Sequence, residues 1–274
     1  MSVTLNHEIP SSLVSWHGSK IRQVKKIGKR FPDFKNVETY IEPFVGAGSV
    51  FLLAYQLAPS NTHFILSDNN ASLINCYKQA RDNCLQVCEV IQELQHDDYY
   101  QIRSQFNENL NEESPLQAGR MIWLITSCFG GGWRCNKKGH FNFSQGWSFN
   151  KESTIQRLQR LHEILVDDRI EITHSCFHKQ LLEQSFDERT FLFFDPPYMQ
   201  GAYSPGFSKD HHRCLADWCD YLHTLGVQWL QSNAGDEVKN LYKNFIIEED
   251  YVQRICGHTV ERNNIAKEYW IRNY

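Results

Sequence analysis

The nine residues Phe191–Met199, with the sequence FLFFDPPYM, decide the predicted fold of this chain. Four apolar residues in a row, three of them aromatic, are typical of a short buried strand. Asp195 ends the run, and Pro196 and Pro197 cannot donate the hydrogen bonds that would continue a strand. We therefore predict a strand that ends in a rigid turn at the carboxyl edge of a sheet, where open α/β sheets bind ligands.

The turn after this strand suits chemistry on a nucleobase amino group, which is a poor nucleophile because its lone pair is delocalised into the ring. The Asp195 carboxylate and the Pro196 carbonyl could accept the amino hydrogens and localise the lone pair, while Tyr198 could stack on the base. An ordinary turn after a strand can have the same short pattern. The motif alone therefore leaves both interpretations open.

The composition is that of a globular protein, with 274 residues of which 41% are hydrophobic and 22% are charged. The net charge is −4, so a nucleic-acid surface would have to be local. The nine cysteines lack the paired spacing of a disulfide framework, and no signal peptide or long apolar run is visible. These features predict a protein of the reducing cytoplasm.

A second motif at Tyr40–Phe51, with the sequence YIEPFVGAGSVF, predicts a strand, a glycine turn and an apolar helix. Gly46 and Gly48 let the backbone approach a ligand closely where the helix begins. Phe51 stands where the dinucleotide-binding fingerprint would have its third glycine. We therefore predict a nucleoside-binding turn of another type.

The next predicted strand, His63–Ser67, ends at Asp68, roughly 20 residues after the glycine turn. An acidic side chain at this position is placed to bind ribose hydroxyls. The alternative is that Asp68 only caps the helix that begins at Ala71.

Upstream, Trp16–Lys20 has the sequence WHGSK, in which a tryptophan and a lysine flank a tight turn. Such a turn could bind an aromatic, anionic ligand. On its own the pattern favours the alternative, a helix start with Lys20 on a solvated face. The basic residues between Lys20 and Arg30 could face phosphates or form a solvated helix face.

Residues 71–127 show apolar residues at helical spacing and no strand signal, so they interrupt the βαβ pattern. We predict an inserted domain at 71–167, with 1–70 and 168–274 forming the α/β domain. The loop Cys128–Asn150 interleaves glycines with basic, amide and aromatic residues, which favours nucleic-acid contact over a plain surface hairpin. The predicted DNA-contacting residues are Trp133, Arg134, Asn136, Lys137 and Lys138.

The remaining segments are predicted as a helix at 151–166, a strand at 169–173, a helix at 208–225, a strand at 227–233, a helix at 235–243 and closing strands within 245–274. Phe177 could sandwich an adenine ring or belong to the core. Met199–Phe207 is a candidate lid. Cys219 and His223 share one helix face, but without paired cysteine motifs on separate elements we predict no metal site.

Together these segments resemble the Dam-type DNA adenine methyltransferases of the D12 class over nearly the whole chain. The motifs that carry the resemblance, in the family's order, are WHGSK at 16–20, EPFVGAG at 42–48, SD at 67–68, RCNKKGHFN at 134–142, DPPY at 195–198, KEY at 267–269 and NY at 273–274. The resemblance implies a doubly wound mixed sheet of Rossmann-like fold, with an inserted helical and hairpin domain that recognises double-stranded DNA.

The resemblance also implies S-adenosylmethionine as methyl donor and an adenine amino group, extruded from the duplex, as acceptor. The cofactor-binding residues that it implies are Trp16, Lys20, Phe44, Gly46, Gly48, Asp68, Phe177 and Asp195. The catalytic motif that it implies is Asp195, Pro196, Pro197 and Tyr198. Arg134 matches a base-contacting arginine of the family's recognition hairpin.

Three motifs depart from the family pattern. His17 and Ser19 replace small residues or glycine, and Ala47 replaces a frequent glycine. The segment 131–133, Gly-Gly-Trp, replaces a more usual Asn-Gly start of the hairpin, so a GATC target is not carried over to this chain.

Several alternatives stay open at this stage. One is methylation of the cytosine amino group, although Asp rather than Ser at 195 favours adenine. An RNA or protein-glutamine methyltransferase would keep the Asp195 turn but should lack a hairpin like 129–143. A non-catalytic module that binds DNA or a nucleoside is the alternative outside enzymes.

Overall fold

The computed structural model describes residues 12–14, 16, 18–146, 150–199, 207–253 and 265–274. Its strands are β1 (Thr39–Glu42), β2 (His63–Asp68), β3 (Ile170–His174), β4 (Thr190–Phe194), β5 (Gln228–Asn233), β6 (Ile246–Gln253) and β7 (Ile265–Arg272). Its α-helices are α1 (Val24–Gly28), α2 (Ser49–Leu57), α3 (Ala71–Asp82), α4 (Cys84–Glu93), α5 (Tyr99–Glu108), α6 (Pro115–Ser127), α7 (Lys151–Leu165), α8 (Phe177–Leu182), α9 (Lys209–Thr224) and α10 (Val238–Leu241).

The strands form one seven-stranded sheet in the order β3-β2-β1-β4-β5-β7-β6. Strands β1 to β5 run parallel, whereas β7 is antiparallel to both β5 and β6. The order reverses at β1, which pairs with β2 on one side and with β4 on the other. This arrangement confirms the predicted doubly wound mixed sheet, and it places a topological switch point between the carboxyl ends of β1 and β4.

Successive side chains of β4 enter two separate cores, because neighbouring residues of a strand point to opposite faces of the sheet. Phe191 and Phe193 pack on the face that carries buried residues of α2 to α7. Leu192 and Phe194 pack on the opposite face with buried residues of α8 and α9. Both faces of the strand are therefore covered, which explains its unbroken apolar sequence.

The segment that follows β2 is helical, as its apolar spacing predicts. Helix α6 begins at Pro115 after an N-cap at Ser114, whose hydroxyl accepts a hydrogen bond of 3.2 Å from the amide of Gln117. Helix α3 packs against β2 and β3 as well as against α4, α6 and α7. The helical segment therefore shares one continuous core with the sheet.

Two short helices differ from the prediction. The predicted helix at 235–243 is confined to α10, and α8 begins at Phe177, where the sequence indicated only the end of a strand. Helices of four and six residues are too short to show the apolar periodicity on which sequence prediction depends. Residues 200–206 of the candidate lid lie outside the described residues. Among the helices that the structure describes, none is long and apolar enough to cross a membrane.

Candidate active site

The catalytic motif predicted from the sequence begins where β4 ends, at the switch point of the sheet. Leu192 of β4 is level with Ile41 of β1, so the residues after each strand emerge side by side. On the other side, Phe194 is level with Gln231 of β5. The parallel register therefore brings Asp195 beside the last residues of β5.

The carboxylate of Asp195 has a donor on each oxygen. Oδ2 accepts a hydrogen bond of 2.7 Å from Nζ of Lys20, and Oδ1 accepts one of 2.5 Å from the hydroxyl of Ser232. The Asp195 side chain remains 19% exposed. Because a carboxylate has about four lone-pair sites, Asp195 can accept a further hydrogen bond from a ligand.

Lys20 is buried, so the alternative of a lysine on a solvated helix face is wrong. Its ammonium group donates to the Gly18 carbonyl at 3.0 Å and lies 5.0 Å from the ring centroid of Tyr198. Burial disfavours the charged form, but electrostatic attraction, to the Asp195 carboxylate first, outweighs it and raises the pKa of Lys20 above its ordinary value. Lys20 therefore stays protonated and holds the Asp195 carboxylate in place.

The glycine turn (Gly46–Gly48) is held from two sides. The amide of Gly46 donates to Oδ2 of Asp68 at 3.1 Å, and the hydroxyl of Tyr77 donates to the Gly46 carbonyl at 2.9 Å. Gly46 and Gly48 have φ values of 48° and 76°, which favour glycine. A Cβ on Gly48 would lie 2.6 Å from the Tyr77 hydroxyl, so this position also needs glycine for space.

Asp68 is not the cap of α3. That role belongs to Asn70, whose side chain accepts from the amide of Leu73 at 3.0 Å. Asp68 instead accepts from the amides of Gly46 and Asn70, and it links the end of β2 to the glycine turn. Burial raises the pKa of its carboxyl above the ordinary value, while these backbone donors oppose the shift.

An aromatic cluster stands beside this turn. Phe44 and Phe177 stack with ring centroids 5.4 Å apart and an interplanar angle of 28°. Phe207 contacts both, at 5.8 and 5.7 Å. The rings of Phe44 and Phe177 are in direct contact, so a planar ligand would meet the cluster at its rim and not between these two rings.

Glu42, at the end of β1, is a buried carboxyl close to the charged residues of the site. Its Oε2 accepts a hydrogen bond of 2.5 Å from the hydroxyl of Tyr40. Burial raises the pKa of Glu42 well above the ordinary value, and the nearby carboxylates of Asp195 and Asp68 raise it further, against Tyr40 and Lys20. The surroundings of Glu42 therefore favour the protonated form of its carboxyl.

The loop after α6 forms a hairpin over Cys128–Gln145, with antiparallel bridges at Cys128–Gln145 and Cys135–Phe141. Asn136, at its tip, closes the turn because its side-chain oxygen accepts from the amides of Lys138 and His140 at 2.8 and 3.1 Å. Lys137 and Lys138 are exposed there. The tip of the 128–145 hairpin therefore presents two adjacent cations to solvent.

The side chain of Arg134 is held within the hairpin. Its Nε donates to Oδ1 of Asn142 at 2.9 Å, and its guanidinium lies 4.5 Å from the ring centroid of Phe143. Because a guanidinium is planar, these two contacts also fix the direction in which its terminal nitrogens point. Asn107 of α5 in turn fixes the hairpin, accepting from the Phe141 amide at 2.8 Å and donating to its carbonyl at 3.0 Å.

The predicted site residues fall into two groups. The sheet edge brings together Lys20, Phe44, the glycine turn, Asp68, Phe177, Asp195 and Tyr198, whereas Arg134, Asn136, Lys137 and Lys138 lie in the hairpin. Trp16 and Trp133 connect the groups, because their indole rings stack on one another.

Sequence reasoning missed Ser232 and the roles of Glu42 and Glu268. Ser232 lies near the carboxyl end of β5, and only knowledge that β5 pairs with β4 would have placed its hydroxyl at Asp195. Glu42 and Glu268 belong to quoted motifs, but a sequence motif does not show that its carboxyl is buried.

The sheet topology and the Asp195 turn define a doubly wound α/β protein of Rossmann type with a candidate ligand site at the switch point of its sheet. The family model of the D12 class N6 adenine-specific DNA methyltransferases matches residues 16–255. The chain therefore belongs to this family, and the predicted class of enzyme, an adenine-specific DNA methyltransferase, is confirmed. Membership in the family also supports the predicted methyl donor, S-adenosylmethionine.

Individual relatives agree with this family assignment. The type II methyltransferase M1.LlaDCHI of Lactococcus lactis subsp. cremoris is 28% identical, over 94% of this chain and 94% of its own length. The type II methyltransferase M.MjaIII of Methanocaldococcus jannaschii is 28% identical, over 95% of this chain and 98% of its own length. A DNA adenine methylase of Haemophilus influenzae is 30% identical, over 93% and 91% of the two chains.

Proposed function

We propose that this chain transfers the methyl group of S-adenosylmethionine to the N6 amino group of one adenine in a specific double-stranded DNA sequence, after the base has left the helix. The observation that carries this proposal is the Asp195 carboxylate, held by Lys20 and Ser232 at the switch point and still open to a ligand. The adenine must be extruded because its amino group is unreachable inside the stacked duplex.

The DPPY motif supplies the groups that would hold the extruded adenine. Asp195 and the carbonyl of Pro196 accept the hydrogens of the amino group, which localises the nitrogen lone pair. Tyr198 offers a ring for stacking, and the Lys20 ammonium, which lies over that ring at 5.0 Å from its centroid, helps to hold it in place. Orientation of the nucleophile is the main contribution expected from the protein.

The residues of the sheet edge fit the methyl donor. The aromatic cluster can pack on an adenine, the Asp68 carboxylate can accept from ribose hydroxyls, and Asp195 can accept from the amino group of the methionine part. Bound S-adenosylmethionine supplies a methyl group on a positively charged sulfur. As the adenine nitrogen bonds to that carbon, the carbon–sulfur bond breaks, the sulfur keeps its electron pair, and the amino nitrogen then loses a proton.

Recognition of the duplex is assigned to residues 71–167, and within them to the 128–145 hairpin. Lys137 and Lys138 would contact phosphates, while Arg134 and Asn136 would contact base edges. The net charge of the chain is −4, so DNA binding has to rely on local groups of cations such as this pair. We propose that the reaction takes place on DNA in the cytoplasm, and the target sequence, GATC or another, is to be mapped.

The test is transfer of labelled methyl groups to unmethylated bacterial DNA, followed by mass spectrometry of the nucleosides. We expect N6-methyladenine from the wild-type chain and none from Asp195→Asn, while Asp168→Asn, an exposed carboxylate after α7, keeps full activity. A methylated cytosine would overturn the assignment to adenine. Binding of S-adenosylmethionine without any transfer to DNA would favour the non-catalytic module.

A further inference from the structure

One aromatic pair joins the cofactor side of the site to the hairpin. The indole rings of Trp16 and Trp133 stack with centroids 5.9 Å apart and an interplanar angle of 14°. The two residues are 117 positions apart in the sequence, and each belongs to a different predicted function, cofactor binding for Trp16 and DNA contact for Trp133. Both are only partly buried.

Trp16 rests on the glycine turn with its pyrrole edge. A Cβ built on Gly46 would lie 3.4 Å from Cδ1 and 3.6 Å from Nε1 of Trp16, so the indole lies directly over this glycine. The amide of Gly46 also donates a hydrogen bond to the Asp68 carboxylate. A shift of the Trp16 ring would therefore change the space above the glycine turn, where the methyl donor is proposed to bind.

Trp133 is fixed from the side of the hairpin. Its ring lies 5.4 Å from that of Phe141 and meets Phe106 of α5 edge-on at 6.0 Å. Phe141 is fully buried, and both of its backbone polar groups are hydrogen-bonded to the side chain of Asn107. Trp133 thus follows the position of the hairpin and faces Trp16, so its ring is not offered to a DNA base in this arrangement.

We propose that Trp133 is a positioning residue that couples the binding of the two substrates. When the hairpin binds DNA, Trp133 is fixed against Trp16, and Trp16 in turn orders the glycine turn for the methyl donor. This inference rests on the proposed function, because it assumes that both substrates bind where we place them. Coupling between two binding sites is reciprocal, so the bound methyl donor must also raise the affinity of the chain for DNA. Chains of packed side chains can carry energetic coupling between sites, and the Trp16–Trp133 stack lies between these two sites.

The coupling can be measured with S-adenosylhomocysteine, which binds without reacting. Its Kd is determined by calorimetry with and without a duplex that carries the sequence methylated by the wild-type chain. We expect the duplex to lower this Kd by about 5-fold or more in the wild-type chain. The ratio of the Kd without duplex to the Kd with duplex should fall close to one in Trp133→Leu. In Trp133→Phe, which keeps a ring, the ratio should lie between that value and the wild-type value.

The matched control is Tyr100→Leu, which removes an exposed aromatic ring from α5 without touching Trp16 or Trp133 in the described structure. This variant should keep the wild-type ratio. A merely structural Trp133 would change thermal stability but leave the ratio at its wild-type value, and that result would overturn the proposal. If Trp133→Leu does not fold, Trp133→Phe alone decides, since an unchanged ratio in it would equally overturn the coupling.

The outcomes separate the two proposals. A wild-type chain that methylates adenine but shows a ratio near one would overturn the coupling and leave the proposed function standing. A wild-type chain that neither binds S-adenosylhomocysteine nor transfers methyl groups would remove the proposed function itself.

Discussion

The hydroxyl of Ser232 lies 2.5 Å from Oδ1 of Asp195, and it approaches from the strand next to the one that carries the aspartate. Oδ2 of the same carboxylate is bound to Lys20, which belongs to the beginning of the chain. The carboxylate is thus held at both oxygens by side chains that come from distant parts of the sequence. Such double support fixes its plane, and the plane decides where a bound amino group would direct its lone pair.

Ser232→Ala should slow methyl transfer without unfolding the protein. A hydrogen bond to a charged group contributes about 1.5–3 kcal/mol, so we expect the single-turnover rate constant to fall roughly 10- to 100-fold. Ser127→Ala is the control, because Ser127 is equally buried and its hydroxyl has no partner among the described residues. Equal rates in both variants would show that Ser232 does not orient Asp195.

Glu42→Gln should change how stability depends on pH. The folded-state pKa of Glu42 is raised above its unfolded value, so between these two values the native state binds the extra proton and the free energy of unfolding falls as pH rises. The neutral glutamine removes this loss, which amounts to at most about 1.4 kcal/mol per pH unit.

We therefore expect the free energy of unfolding of Glu42→Gln, relative to that of the wild type, to be larger at pH 8 than at pH 5. The variant gains stability over the wild type as pH rises. Denaturant unfolding at the two pH values measures the difference. Glu171→Gln, an exposed position in β3, should show no such trend. A relative stability of Glu42→Gln that falls from pH 5 to pH 8 would contradict a raised pKa of Glu42.

Arg134→Ala should relax the choice of DNA sequence more than it weakens binding as a whole. A bidentate contact between arginine and a base discriminates against the wrong base by about 1–3 kcal/mol. Comparison of kcat/KM on the mapped target with that on duplexes carrying single base changes measures the effect. If all single-base variants are discriminated against as strongly as by the wild-type chain, Arg134 does not contact a base.

Removing both lysines at the hairpin tip should weaken DNA binding as a whole without changing the choice of DNA sequence. In the double variant Lys137→Ala with Lys138→Ala, binding should weaken about equally on all sequences, because phosphates carry no sequence information. The slope of log Kd against log salt concentration should become shallower by about 2, one for each lost phosphate contact. An unchanged salt slope would show that the exposed tip of the hairpin does not face the DNA backbone.

Local patterns in the sequence determined the elements of the fold. The apolar run before Asp195 indicated a buried strand, and the prolines after it indicated where that strand ends at the sheet edge. Alternating strands and helices then required a largely parallel sheet with its ligand site at the switch point. The order of the motifs further indicated the family, because their chemistry is carried by short contiguous segments.

The tertiary structure alone decided which side chains meet. Lys20 and Asp195 are 175 residues apart, and no local pattern distinguishes a lysine buried against a carboxylate from one on a solvated helix. The same holds for Ser232 at Asp195 and for Trp133 against Trp16. Local propensities act within a few residues of the chain, whereas these contacts depend on strand order, register and burial, which arise only when the whole sheet has formed.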